Sequence, residues 1–163
     1  MASSSSVTHL SPPSKHDVFL SFRGEDTRDN FTSHLHKALC NKKIETYIDN
    51  RIEKGDGILP SLLKAIEESE IFVIIFSKNY ASSTWCLNEL VKILEYKQKL
   101  GRAIVPVLYN VDPSDVRKQS GSYADAFVKH DQQFKDNIGK VQRWRESLTQ
   151  VAQLSGWDSS EIR

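Results

Sequence analysis

Trp85 and Glu89, four residues apart in Thr84-Trp85-Cys86-Leu87-Asn88-Glu89-Leu90, form the first pair in this sequence able to do chemistry. At about 100° per residue they leave a helix roughly 40° apart, away from the apolar stripe of Leu87, Leu90, Val91 and Leu94. An indole outside the stripe needs a second surface to pack on, and a ligand edge or a loop can supply one. Glu89 is thus expected on the outer, ligand-facing side of its helix, where its removal would cost within about 0.5 kcal/mol. A solvated glutamate on an exposed face is the competing reading. Cys86 has no histidine near it in sequence and reads as a small packing residue rather than a nucleophile.

A single carboxylate restricts the reaction. Ordinary glycoside hydrolysis takes two, one of which protonates a poor leaving group. One acid suffices where the leaving group departs neutral without a proton, as nicotinamide does from a pyridinium N-glycoside. Glu89 would hold the ribose hydroxyls and stabilise the developing oxocarbenium charge. A second segment, Phe22-Arg23-Gly24-Glu25-Asp26-Thr27-Arg28, sets two guanidinium groups beside a helix start, which suits a phosphate or pyrophosphate. Gly24 leaves room for the close approach of another group. Internal pairing of these arginines through Glu25 and Asp26 is the alternative, since structural ion pairs are common.

The elements that must position these residues alternate in type. Residues 18–22, 46–48, 71–76 and 103–109 read as short buried strands. Between them, Asp26 or Thr27 caps a helix with Phe31, Leu35, Ala38 and Leu39 on one side, and Pro60 opens a second with Leu62, Leu63 and Ile66. The third helix spans 84–100. A turn at Asp112-Pro113 and helices near 122–134 and 138–154 complete the chain. Residues 49–59 form an irregular loop. Such alternation implies β-α-β units and a parallel sheet covered on both faces, with ligands beyond the carboxyl ends of the strands. Those ends are the loops after Phe22, Ile48, Phe76 and Tyr109. Pro106 counts against a central place for its strand, since proline cannot donate to the ladder.

Composition excludes several classes. The 163 residues suit one domain, and 22 Lys and Arg against 21 Asp and Glu leave +1. That charge recruits neither nucleic acid nor an anionic membrane surface. The longest apolar run is six residues, whereas a membrane-spanning helix takes about 20. Seven glycines form neither G-x-G-x-x-G nor a P-loop, so there is no Rossmann fingerprint and no ATPase cradle. Two cysteines and five scattered histidines offer no disulfide framework and no closed metal site. Residues 1–15, rich in serine with Pro12-Pro13, read as a disordered leader and not a secretory signal, which fits a reducing intracellular compartment.

Residues 17–28, reading Asp-Val-Phe-Leu-Ser-Phe-Arg-Gly-Glu-Asp-Thr-Arg, resemble the opening signature of plant Toll/interleukin-1 receptor (TIR) domains. Residues 80–90, with their Ser-x-Trp-Cys-Leu-x-Glu-Leu core, are similar to the family's third-helix signature, and 106–121 to its fourth-strand signature. The resemblance implies a flavodoxin-like α/β fold: a parallel five-stranded sheet in the order 2-1-3-4-5 with helices on both faces. It implies a place at the amino end of intracellular immune receptors, in the cytoplasm with the nucleus open as a second location. It also implies NAD(P)+ nucleosidase activity that switches on when TIR domains associate, as dimers and then tetramers. NAD+ or NADP+ is then substrate, with no resident cofactor.

By motif match, Glu89 takes the catalytic position and Trp85 lies beside the nicotinamide ribose. Arg23, Gly24, Glu25, Asp26, Thr27 and Arg28 match the nucleotide-binding loop, and Gly55, Asp56 and Gly57 match the mobile loop after the second strand. Ser33 and His34 match the pair used for symmetric self-association, and helical spacing sets Ser33 far from the Phe31/Leu35/Leu39 stripe and His34 at its margin. Gly156 and Trp157 match the short fifth strand beside a second interface. Lys54 stands where the family often carries arginine, keeping the charge and losing the bidentate fork. The family's last helix is expected to begin near Ser160, so the domain, 16–163, is expected to end with that helix truncated. Readings from other classes are a non-catalytic association module, against which the Trp85–Glu89 pair counts, and nucleic-acid hydrolysis yielding cyclic nucleotides, against which the net charge counts.

Overall fold

The computed structural model describes residues 15–48 and 60–158. The described chain runs β1 (His16–Ser21), α1 (Gly24–Thr27), a π-helical turn (Arg28–Thr32), α2 (Ser33–Asn41) and β2 (Thr46–Ile48). It continues through α3 (Pro60–Glu67), β3 (Ser69–Phe76), a 3-10 turn (Tyr80–Ser82), α4 (Thr84–Leu100) and β4 (Ala103–Leu108). The last elements are α5 (Pro113–Lys118), α6 (Ser122–Gln133), α7 (Ile138–Ala152) and β5 (Trp157–Asp158). All five strands are parallel, in the order β2-β1-β3-β4-β5. No helix among the described residues is long and apolar enough to cross a membrane.

Strand alternation sorts two cores. Phe19, Phe72, Ile74 and Phe76 face one side, where α3 to α7 build the main core around Leu62, Leu90, Tyr123 and Trp144. Val18, Leu20, Ile75 and Val107 face the other, under Phe31, Leu35 and Leu39. Ala38, expected in that second stripe, is exposed. The π-helical turn widens the spacing between Phe31 and the residues that follow, and the packed line runs through Leu35 and Leu39.

Local chemistry sets the ends of α4. The Ser83 hydroxyl accepts from Cys86 N, and Gly101 leaves the helix at φ 69. Asp112 and Pro113, expected to make a turn, open a helix instead. The Asp112 carboxylate accepts from Ser114 N at 2.8 Å, and Pro113 sits where no N–H is required.

Pro106 sits in a strand with neighbours on both sides, contrary to the expectation that it marks an edge. Tyr109 N donates to Phe76 O, so by alternation Pro106 points away from β3 and toward β5. There the pairing begins one residue later, at Val107 with Trp157. A Cβ on Gly156 would lie 2.0 Å from the Pro106 carbonyl oxygen, a main-chain atom no rotamer change can remove. Gly156→Ala is therefore expected to unpair β5 and little else. Hydrogen exchange should accelerate at Trp157 and Asp158 while β1 and β3 stay protected, with Tm lowered by about 3 °C for roughly 1 kcal/mol.

Candidate functional site

The loops after β1, β3 and β4 are tied together at the carboxyl edge of the sheet. Asp26 accepts from Asn79 N at 3.0 Å and from the Ser77 hydroxyl, joining the first loop to the third. Tyr123 OH donates to Ser77 O at 2.7 Å, which brings α6 onto the same turn. Tyr109, just after β4, stacks on Phe31 with ring centroids 4.8 Å apart.

Glu89 is only 4% exposed, so the expected outward, low-cost position is overturned. The buried line on α4 runs through Cys86, Glu89, Leu90 and Ile93, whereas Val91 and Leu94 are half-buried. Glu89 occupies a stripe position that periodicity reserves for an apolar residue. The helix is enclosed from several directions: β1, the Tyr80–Ser82 turn, α3 and α7 all pack on α4. Trp85, 8% exposed, finds its second surface in the main core.

Tyr80 connects α4 to the sheet. Its hydroxyl donates to Cys86 O at 3.3 Å and lies 2.9 Å from the Ser21 hydroxyl at the end of β1. Burial, and then the neighbouring Cys86 and Glu89, push the phenol well above its ordinary value, so it remains a donor. Cys86 is buried, its Sγ 3.5 Å from Phe22 O, as a packing residue would be. Neither Ser21 nor Tyr80 stood out in the sequence. The available signal was their placement: a hydroxyl at the end of an apolar strand, and a tyrosine in the turn before α4.

In the first loop the pairing alternative describes Arg23, which lies 3.1 Å from Glu25 and 3.6 Å from Asp26. Arg28 extends over the Phe22 ring, 5.0 Å from its centroid, and its guanidinium is the group that fills the space beside Gly24. Thr27 turns inward, its hydroxyl 2.7 Å from that of Thr32. The helix starts at Gly24 with Arg23 at its cap position and no side-chain cap. Asp26, expected to cap, is committed to Ser77 and Asn79. Ser33 and His34 are exposed on α2, and Trp157 is 63% exposed beside Gly156. Lys54, Gly55, Asp56 and Gly57, residues 1–14 and the expected final helix near Ser160 lie outside the described residues.

A family model described as the TIR domain matches residues 15–163. The chain belongs to the TIR domain family. This TIR domain is 54% identical over 156 residues to disease resistance protein RPV1 of Vitis rotundifolia, covering 96% of the chain and 11% of that protein. It is 52% identical over 157 residues to TMV resistance protein N of Nicotiana glutinosa, covering 96% of the chain and 13% of that protein. The chain thus spans about a tenth of the length of these curated relatives. Among solved structures, the TIR domains of the activated Roq1 resistosome superpose with a TM-score of 0.85 at 54% identity, over 91% of this chain and 90% of that one.

One buried histidine of the TIR domain holds the turn before α4. His130 donates from Nε2 to Ala81 O at 2.7 Å and packs edge-on against Phe127 and Trp144. Its Nδ1 is buried without a partner among the described residues. Burial pushes the imidazole below its ordinary value, against opposing contributions from Ala81 and Asp131 and with a small push from Arg145. The folded state holds the neutral ring, while the unfolded chain takes up a proton near the ordinary value of about 6.5. Its contribution is complete above that pH and declines as pH falls below it, by at most about 1.4 kcal/mol per pH unit. Melting of wild type should drop between pH 7.5 and 5.5 more steeply than melting of His130→Gln.

Proposed function

We propose that this TIR domain is an NAD(P)+ nucleosidase that acts when copies associate, releasing nicotinamide and an ADP-ribose-type signal in plant immune signalling. The observation that carries the reading is Glu89: a carboxylate in an apolar helix stripe at the carboxyl edge of a parallel sheet. Burial of an ionisable group is costly, and such positions are enriched at functional sites. In the reaction, the bond between ribose C1′ and the pyridinium nitrogen breaks. Its electron pair stays with nicotinamide, which leaves neutral. Glu89 stabilises the oxocarbenium cation until water adds at C1′ and gives up a proton. On this reading, Arg23 and Arg28 serve the pyrophosphate and Trp85 the nicotinamide ribose.

The enclosure of Glu89 in the single chain supports dependence on assembly, because substrate reaches it only after the surrounding turns rearrange. The same enclosure, with Ser33 and His34 exposed, also suits a purely associating module. One titration separates the two. Purified chain at rising concentration is mixed with NAD+ and free nicotinamide is measured. Nucleosidase activity should rise more steeply than linearly, and in Ser33→Ala/His34→Ala the rise should become linear while the monomer stays folded. A surviving steep rise moves the interface elsewhere. No release at any concentration leaves the associating module.

A further inference from the structure

A groove of about 620 Å³ lies between α3, α4 and α7. On α4 it is lined by Asn88, Val91, Lys92 and Glu95, spaced i, i+3, i+4 and i+7, about a third of a turn round the helix from Glu89. Because the buried line of α4 is drawn toward Cys86 and Glu89, Val91 is left half-covered facing this groove. Leu63 of α3 and Trp144 of α7 complete an apolar floor, and Trp144 Nε1 holds the side chain of Asn88 at 3.1 Å.

The rim is cationic. Lys92, Lys140 and Arg143 face one carboxylate, Glu95, which lies 3.5 Å from Lys92. The Lys140 ammonium sits over Phe134 and Trp144, 5.1 and 5.5 Å from their ring centroids. Neither Lys140 nor Arg143 has an ion-pair partner among the described residues. Three cations against one acid leave +2 on this groove, in a chain whose whole net charge is +1. Asn88 to Glu95 spans about 10 Å, enough for two turns of a docked helix or three extended residues. Small-molecule sites enclose 70–90% of their ligand, whereas this groove is partly open, with Glu95 and Arg143 exposed on its rim. A chain segment laid lengthwise fits better.

We propose that this groove docks an acidic segment of a partner protein, with an apolar side chain over Leu63 and Val91 and carboxylates at Lys140 and Arg143. A fluorescein-labelled peptide of Glu-Glu-Leu-Leu repeats, followed by anisotropy against the intact chain, tests it. Binding should weaken at least tenfold in Lys140→Glu/Arg143→Glu and tighten in Glu95→Gln, an opposite sign that misfolding cannot produce. Should the double variant fail to fold, Arg143→Glu alone, at an exposed position, reads the same loss. The same peptide with lysine in place of glutamate should not bind. Absence of binding, equal binding by the charge variants, or equal binding of the lysine peptide overturns the proposal. So does displacement by millimolar inorganic phosphate, which would mark a simple anion site. Self-association abolished by Arg143→Glu also overturns it, since a second copy would then be the occupant.

Discussion

Glu89→Gln is expected to bring nicotinamide release down to background while leaving the TIR domain folded. The amide matches the carboxylate in shape and fills the same space in the α4 stripe, so the packing of that stripe survives. On the proposed mechanism, what disappears is the negative charge opposite the developing oxocarbenium, the kind of preorganised electrostatic contribution worth several kcal/mol of barrier. Glu89→Ala would lose activity too but is the poorer test. At 4% exposure the truncation leaves a void and strips a partner from its surroundings, at about 1–3 kcal/mol, or several degrees in Tm. Release of nicotinamide by Glu89→Gln at the wild-type rate, with unchanged melting, would remove Glu89 from the mechanism.

Asp26→Ala should destabilise the TIR domain by about 2–4 kcal/mol, lowering Tm by the order of 10 °C. Its carboxylate receives Asn79 N and the Ser77 hydroxyl, and Arg23 lies alongside it. Truncation takes the acceptor from the Ser77 hydroxyl and Asn79 on one loop and leaves Arg23 on the other with Glu25 alone. The motif match assigns Asp26 to nucleotide binding, whereas its contacts make it the clasp between the loops after β1 and β3. Asp26→Asn, which keeps an acceptor oxygen and drops the charge, should recover part of the stability. If Asp26→Ala melts with wild type and only the KM for NAD+ rises, the residue binds substrate directly.

Much of the fold was legible because it rests on short-range chemistry. The strand and helix alternation follows from apolar runs and periodicity, and α4 begins and ends where Ser83 and Gly101 dictate. Asp112-Pro113 shows the limit of such signals, since an aspartate before a proline opens a tight turn and a helix equally well. The end of α5 depends on Gln119, whose side chain reaches the carbonyls of Val116 and Arg145.

The sequence by itself determined which residues stand at the carboxyl edge of the sheet, including Arg23, Asp26 and Glu89, because strand order and loop position leave them nowhere else. Tertiary structure decided what each does there. Periodicity finds an apolar stripe but weighs residues one at a time, so it set Glu89 outside. Burial depends instead on what packs on the helix, and β1, α3, α7 and the Tyr80–Ser82 turn all pack on α4. Asp26 meets Ser77 and Asn79 across more than fifty residues of chain. Pro106 is tolerated between two strands because its missing donor faces the short β5. Each of these outcomes depends on which surfaces long-range packing brings together, and no local pattern encodes that.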